Sequence, residues 1–138
     1  MYEYFDHTAD VGIRVQAGDL ETLFGDAGIA LFGLIVDDPA QIRTVRDCNI
    51  NVAGTIDEAD YLLFDWLNEL LRLFEETQLV FRRFDVTLSA GGISAVGYGE
   101  PLEPERHGLG NEVKAVTYHR LRVEQTPDGW EAEVILDI

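Results

Sequence analysis

Val11-Gly12-Ile13-Arg14-Val15-Gln16-Ala17-Gly18-Asp19-Leu20 changes its period partway along, and that change points to the fold class. Val11, Ile13, Val15 and Ala17 alternate with Gly12, Arg14 and Gln16, the period of two that lays one face of a strand on a core. Asp19 then offers an N-cap. Leu20, Leu23, Phe24, Ala27, Leu31, Leu34 and Ile35 recur at three- and four-residue steps and predict an amphipathic helix. Gly25, Gly28 and Gly33 fall inside it, each costing ~1 kcal/mol relative to Ala, so close packing on a sheet is the expected compensation.

Outward from this stretch the alternation of elements continues. Residues 42 to 53 read as a strand, and Thr55-Ile56-Asp57-Glu58 matches a capping box that opens a second helix. Leu62, Leu63, Trp66, Leu67, Leu70, Leu71 and Phe74 form its apolar stripe, and the acids between them form a solvated face. After Thr77 the pattern is β: residues 79 to 90, a turn at Gly91-Gly92, and residues 93 to 100. Segment 100 to 110, punctuated by Pro101, Pro104, Gly108 and Gly110, reads as a mobile surface loop. Residues 111 to 125 alternate again, Pro127-Asp128-Gly129 makes a turn, and Trp130 to Ile138 forms a last strand. Gly97 and Gly99, two apart on one strand face, predict that a helix or a partner's backbone packs closely there. The expected fold is α+β, with two amphipathic helices packed on a mixed, largely antiparallel sheet.

A chain of 138 residues with 46 % hydrophobic content has the length and core material of one domain, residues 1–138. Its 26 acidic residues against 10 Lys and Arg leave a formal charge of -16, which repels phosphate backbones and disfavours direct binding to nucleic acid. The same surface suits a metal cation, or a protein partner that is basic because it handles nucleic acid, or it serves solubility alone. Cys48 is the only cysteine, so neither an intrachain disulfide nor a thiolate metal cluster can form, which fits a reducing cytoplasm. Met1-Tyr2-Glu3-Tyr4-Phe5-Asp6 has neither the basic start nor the apolar stretch of a signal peptide, and no run reaches the ~18 apolar residues of a membrane span. Neither secretion nor insertion is expected.

Chemistry is sparse. No glycine-rich phosphate loop follows a strand and no serine sits in a nucleophile elbow. His7, His107 and His119 lack the spacing and cysteine neighbours of a zinc site, and each alone reads as structural. Cys48, inside a predicted strand, reads as a small inert hydrophobe. The strand Val134-Ile135-Leu136 runs straight into Asp137 and Ile138, which sets a side-chain carboxylate beside a main-chain one. Like charges held close call for a proton, a hydrogen bond or a cation, and oxygen-only ligands select hard ions such as Ca²⁺ or Mg²⁺. Asp10, at the mouth of the first long strand, is a candidate third donor, although a turn-forming Asp10 and a solvated strand end explain the same residues more simply. Lys114 is the only lysine, a compact charge suited to a phosphate, a carboxylate or a nucleotide in a partner's site, or simply a surface charge.

Three blocks carry a family resemblance: Phe5-Asp6-His7-Thr8-Ala9-Asp10-Val11, Glu112-Val113-Lys114-Ala115-Val116-Thr117-Tyr118-His119 and Val134-Ile135-Leu136-Asp137-Ile138. In order and spacing they resemble the archease family, with further matches at Ala30-Leu31-Phe32-Gly33, Asp65-Trp66-Leu67-Asn68-Glu69 and Gly97-Tyr98-Gly99-Glu100. The resemblance implies an archease-like fold and an accessory protein of the RtcB-type tRNA-splicing RNA ligase, not an enzyme. Such a protein promotes guanylylation of the ligase's active-site histidine and its multiple turnover, and broadens its nucleotide use. It implies a divalent metal, Ca²⁺ first with Mg²⁺ or Mn²⁺ as alternatives, on Asp10, Asp137 and Ile138, and a role for Lys114 in activating the partner. The other implied role is that of a chaperone-like modulator of another RNA-processing enzyme, such as a tRNA methyltransferase.

Overall fold

The computed structural model describes residues 1–7 and 9–138, so Thr8 of the His-Thr-Ala-Asp block lies outside the described residues. Strand β1 (Tyr2–His7) pairs antiparallel with β2 (Asp10–Ala17), and Ala9 takes the left-handed conformation, φ 63°, between them. Helix α1 (Leu20–Ile35) begins as expected: the Asp19 carboxylate accepts the Thr22 amide at 2.7 Å, and that bond holds the Asp19 carboxyl below its usual range. A short 3₁₀ turn (Pro39–Gln41) precedes β3 (Arg46–Ala53), so the strand expected from residue 42 starts later. The Thr55 hydroxyl accepts from the Asp57 amide at 3.2 Å and caps a 3₁₀ turn (Ile56–Glu58), after which α2 (Ala59–Thr77) starts. The cap was legible; that the first turn would be wound tighter than an α-helix was not. Strands β4 (Leu79–Ser89) and β5 (Gly92–Pro101) form the expected hairpin.

The remaining elements depart from the sequence pattern. The segment expected to be a mobile loop contains a single helical turn, α3 (Pro104–His107), and is pinned. Arg106 forks onto buried Glu100 with both bonds at 2.7 Å, fully buried His107 meets Glu100 at 3.0 Å, and the Arg43 amide donates to the same carboxylate at 2.6 Å. These bonds, that of Arg106 first, hold the Glu100 carboxyl down at about 2. The stretch 111 to 125 is two strands, β6 (Ala115–Val116) and β7 (Arg122–Thr126), broken at Arg120, whose φ is 57°. Strand β8 (Gly129–Asp137) closes the chain.

These strands form two sheets, and every pairing among the described residues is antiparallel. One sheet has the order β1-β2-β8, with β6 and β7 both on the far edge of β8; the other has the order β3-β5-β4. Helix α1 packs on β4 of one sheet and β2 of the other, with α2 alongside it. Trp66 of α2 is fully buried and donates its indole N–H to the Phe24 carbonyl of α1 at 2.8 Å, which locks the two helices together. Gly28 is where α1 comes close to β4. A Cβ there would lie 2.8 Å from the Phe84 ring of β4, so the weak helix former is explained by packing. Gly97 is covered by the rings of Phe81 and Phe84, and Gly99 faces the Val80–Phe81 backbone. The close neighbours predicted at those glycines are therefore the protein's own adjacent strand rather than a helix or a partner. No helix among the described residues is long and apolar enough to cross a membrane.

Candidate functional site

Register across the five-stranded sheet builds the site. Ile13 and Val15 of β2 are buried toward the helices, so Asp10, Gly12 and Arg14 point to the opposite face. Cross-strand pairing then lines up three rows on that outer face. The first is Glu3, Arg14, Glu133 and Arg122; the second is Phe5, Gly12 and Ile135; the third is His7, Asp10, Asp137 and Ala115.

The charged first row is neutralised. Glu133 is 2 % exposed and accepts Arg14 at 2.8 Å and Arg120 at 3.0 Å, with Arg122 at 3.7 Å. Arg122 also reaches Glu131 at 2.5 Å, and Arg14 reaches Glu3 at 2.9 Å. The middle row is a divider. The Phe5 ring lies over Gly12, where a Cβ would come within 2.1 Å of it, and Arg14 and Arg120 stack on that ring at 4.8 and 5.6 Å.

The third row is not neutralised. Asp10 and Asp137 are direct antiparallel partners, whose Cβ atoms in such a pair lie ~4.5–5.5 Å apart, where like charges destabilise. The ring of His7 approaches, with Nδ1 3.7 Å from Asp10 Oδ2, too far for a hydrogen bond; that nitrogen is buried and has no hydrogen-bond partner among the described residues. His119 meets His7 at 4.9 Å between ring centroids. Two of the histidines set aside singly in the sequence thus touch each other beside Asp10, whereas His107 belongs to the Glu100 anchor. The readable clue was the spacing of His7 and Asp10, three residues apart where β1 gives way to β2, and the two are register partners.

Ile138 follows Asp137 directly and packs its side chain on the core. Lys114 is tied to the same corner through its backbone, its amide donating to the Asp137 carbonyl at 2.8 Å. Lys114 also lines a cleft of about 560 Å³ with Ile35, Leu71, Phe74, Leu102 and Leu109, and no ion pair joins it to Asp10 or Asp137 among the described residues. Among those residues no three His, Cys, Asp or Glu side chains are grouped to hold a metal. The expected set uses two such side chains and completes itself with the Ile138 main-chain carboxylate. Its donors fit a hard cation: all are oxygen, and among the described residues the facing Asp10 and Asp137 carboxylates have no arginine or lysine within ion-pair distance.

Residues 2–138 match the profile of the Archease protein family (MTH1598/TM1083). The chain is 40 % identical to the "Protein archease" of Methanosarcina acetivorans, covering 99 % of this chain and 95 % of that one. It is also 40 % identical to that of Pyrococcus abyssi, covering 99 % and 98 %. Among solved structures, Methanobacterium thermoautotrophicum protein 1598 superposes with a TM-score of 0.80 at 30 % identity, over 99 % of this chain and 98 % of that one. A Thermotoga maritima crystal structure described as an archease and possible chaperone superposes with a TM-score of 0.70 at 19 % identity, covering 100 % and 98 %. With a family profile matched over nearly its whole length and relatives at this identity, the chain belongs to the archease family.

Proposed function

We propose that this chain is a cytoplasmic accessory protein that activates an RtcB-type RNA ligase. It would promote guanylylation of the ligase's active-site histidine and multiple turnover in tRNA ligation and RNA repair, and alter the ligase's nucleotide specificity, without joining RNA itself. The observation that carries the reading is the facing pair Asp10 and Asp137, without an arginine partner among the described residues on a sheet face whose Glu3, Glu131 and Glu133 are paired with arginine, with Lys114 tied by its backbone to the same strand end.

The residues support a division of labour. Asp10, Asp137 and the carboxylate of Ile138 would hold a divalent cation, Ca²⁺ first and Mg²⁺ or Mn²⁺ otherwise. When bound, the cation supplies positive charge that a nucleotide phosphate or a ligase carboxylate can meet. Strand β8 is paired to β2 on one side and β6 on the other, so Asp137 is positioned by a rigid element rather than a loop. Lys114 lines the neighbouring cleft, and its ammonium would be a mobile point charge able to reach a phosphate in a partner's site. The net charge of -16 favours approach to a basic RNA-binding cleft over contact with RNA.

Single-turnover guanylylation of the ligase from the same cell tests this. Wild-type protein should raise the rate, and Asp10→Ala and Lys114→Ala should each lower the stimulation at least about tenfold, or about 1.4 kcal/mol of barrier. Full stimulation by both variants would refute it. A second reading, a chaperone-like modulator of another RNA-processing enzyme such as a tRNA methyltransferase, is favoured by the apolar cleft beside Lys114. It predicts that suppression of partner aggregation survives Asp10→Ala.

A further inference from the structure

Tyr61 on the first turn of α2 and Tyr118 in the turn after β6 are 53 % and 60 % exposed. They form one surface. The Tyr118 ring lies flat on Phe64, with centroids 3.9 Å apart and planes 14° from parallel, and Tyr61 meets Tyr118 nearly edge-on at 6.0 Å. Two segments far apart in sequence thus contribute three rings to a ledge, with Phe64 supporting Tyr118 from one side.

The surroundings are acidic. Asp57, Glu58 and Asp65 are exposed, Asp60 is half-buried, and the helical spacing places Asp65 one turn beyond Tyr61 and Asp60 one turn before Phe64. Among the described residues the ion pairs of α2 are those of Arg72 with Glu69 and Glu76, further along the helix, so the acids by the ledge have no ion-pair partner there.

We propose that this ledge docks arginine side chains of a basic protein segment. An aromatic face takes a guanidinium by stacking and by attraction to its quadrupole, and neighbouring carboxylates supply the countercharge. A lysine ammonium meets the same carboxylates but stacks poorly, so preference for arginine over lysine is the signature of the rings. A nucleic acid could offer bases to the rings but would bring its phosphates against the acids. Tyr118 is followed by His119, whose ring touches His7 beside Asp10, so a segment seated on the ledge is anchored next to the carboxylate row. The inference does not require that row to hold a cation, nor the partner to be a ligase.

The test is titration of the full chain with an arginine nonapeptide, a lysine nonapeptide and a short oligouridylate at about 150 mM salt, where long-range attraction is screened. Amide NMR shifts are followed throughout. The arginine peptide should bind on the order of fivefold tighter than the lysine peptide, with shifts centred on residues 57–65 and 117–119. The double variant Tyr61→Ala, Tyr118→Ala should bind both peptides equally, whereas Tyr118→Phe, which keeps the ring, should retain the preference. Equal binding of the two peptides to the wild type, shifts centred elsewhere, or tighter binding of the oligouridylate would overturn the proposal.

Discussion

The two ends of one sheet face treat acidic residues in opposite ways. At one end Glu133 is buried under three arginines; at the other Asp10 and Asp137, on the same strands β2 and β8, face each other with no arginine or lysine paired to them among the described residues. The row between them explains how both can persist. Phe5 over Gly12 occupies the space between the rows and stacks Arg14 and Arg120, holding them on the Glu133 side. What differs is placement of countercharge, since strand, face and acid chemistry are shared. An acid that stabilises the fold is surrounded by its cations, whereas acids left short of them are candidates for binding a ligand.

The largest effect should come from breaking the neutralised end. Glu133→Ala leaves Arg14, Arg120 and Arg122 clustered without their common acceptor, and urea denaturation should show a loss of about 3 kcal/mol. A variant as stable as the wild type would mean the lattice contributes nothing and the contrast is only geometric. Glu100 extends the comparison to a second neutralised acid. Its carboxyl is held at about 2, below its ordinary value of 4.5, mainly by Arg106. A depressed folded value stabilises the protein above the unfolded one, and that stability is lost as pH falls. Unfolding measured from pH 5 down to 2 should therefore reveal up to about 3 kcal/mol lost, and Glu100→Gln should flatten that part of the profile.

The unneutralised end should respond to cations instead. Calcium at a hundredfold excess over its dissociation constant should stabilise the wild type by about 2.7 kcal/mol in thermal or chemical denaturation, and Asp10→Asn should abolish the shift. An identical calcium response in the variant would move the cation away from this row. The smallest effect has the opposite sign to that of Glu133. In calcium-free buffer Asp137→Asn relieves the facing charges and should raise stability by about 0.5 kcal/mol. A loss of stability there would show that Asp137 already has a satisfied partner, and the contrast between the two ends would fall.

Legibility followed sequence distance. The strand Asp10–Ala17, the Asp19 cap, both helices and the β4–β5 hairpin were readable because period, cap and turn are local properties. The division of residues 111 to 125 was not, because β6 and β7 are defined by sharing the edge of β8, which the alternation of 111 to 125 does not encode. Segment 100 to 110 looked mobile from its prolines and glycines, yet the buried Glu100–Arg106–His107 contacts that pin it are tertiary. For the candidate site, the sequence nominated Asp10, Lys114, Asp137 and Ile138, but residue types alone could not show that strand pairing makes Asp10 the partner of Asp137.

By itself, then, the sequence determined an acidic α+β chain with two amphipathic helices, an antiparallel hairpin and the archease blocks, because periodicity, charge and motif are written residue by residue. Only the tertiary structure decided that residues 127 positions apart share a register, that His7 and His119 touch beside Asp10, and that Lys114 both bonds that corner through its backbone and lines the neighbouring cleft. The physical reason is that a pleated sheet fixes facing by cross-strand partner, and β2 meets β8 only when the two ends of the chain fold onto one core.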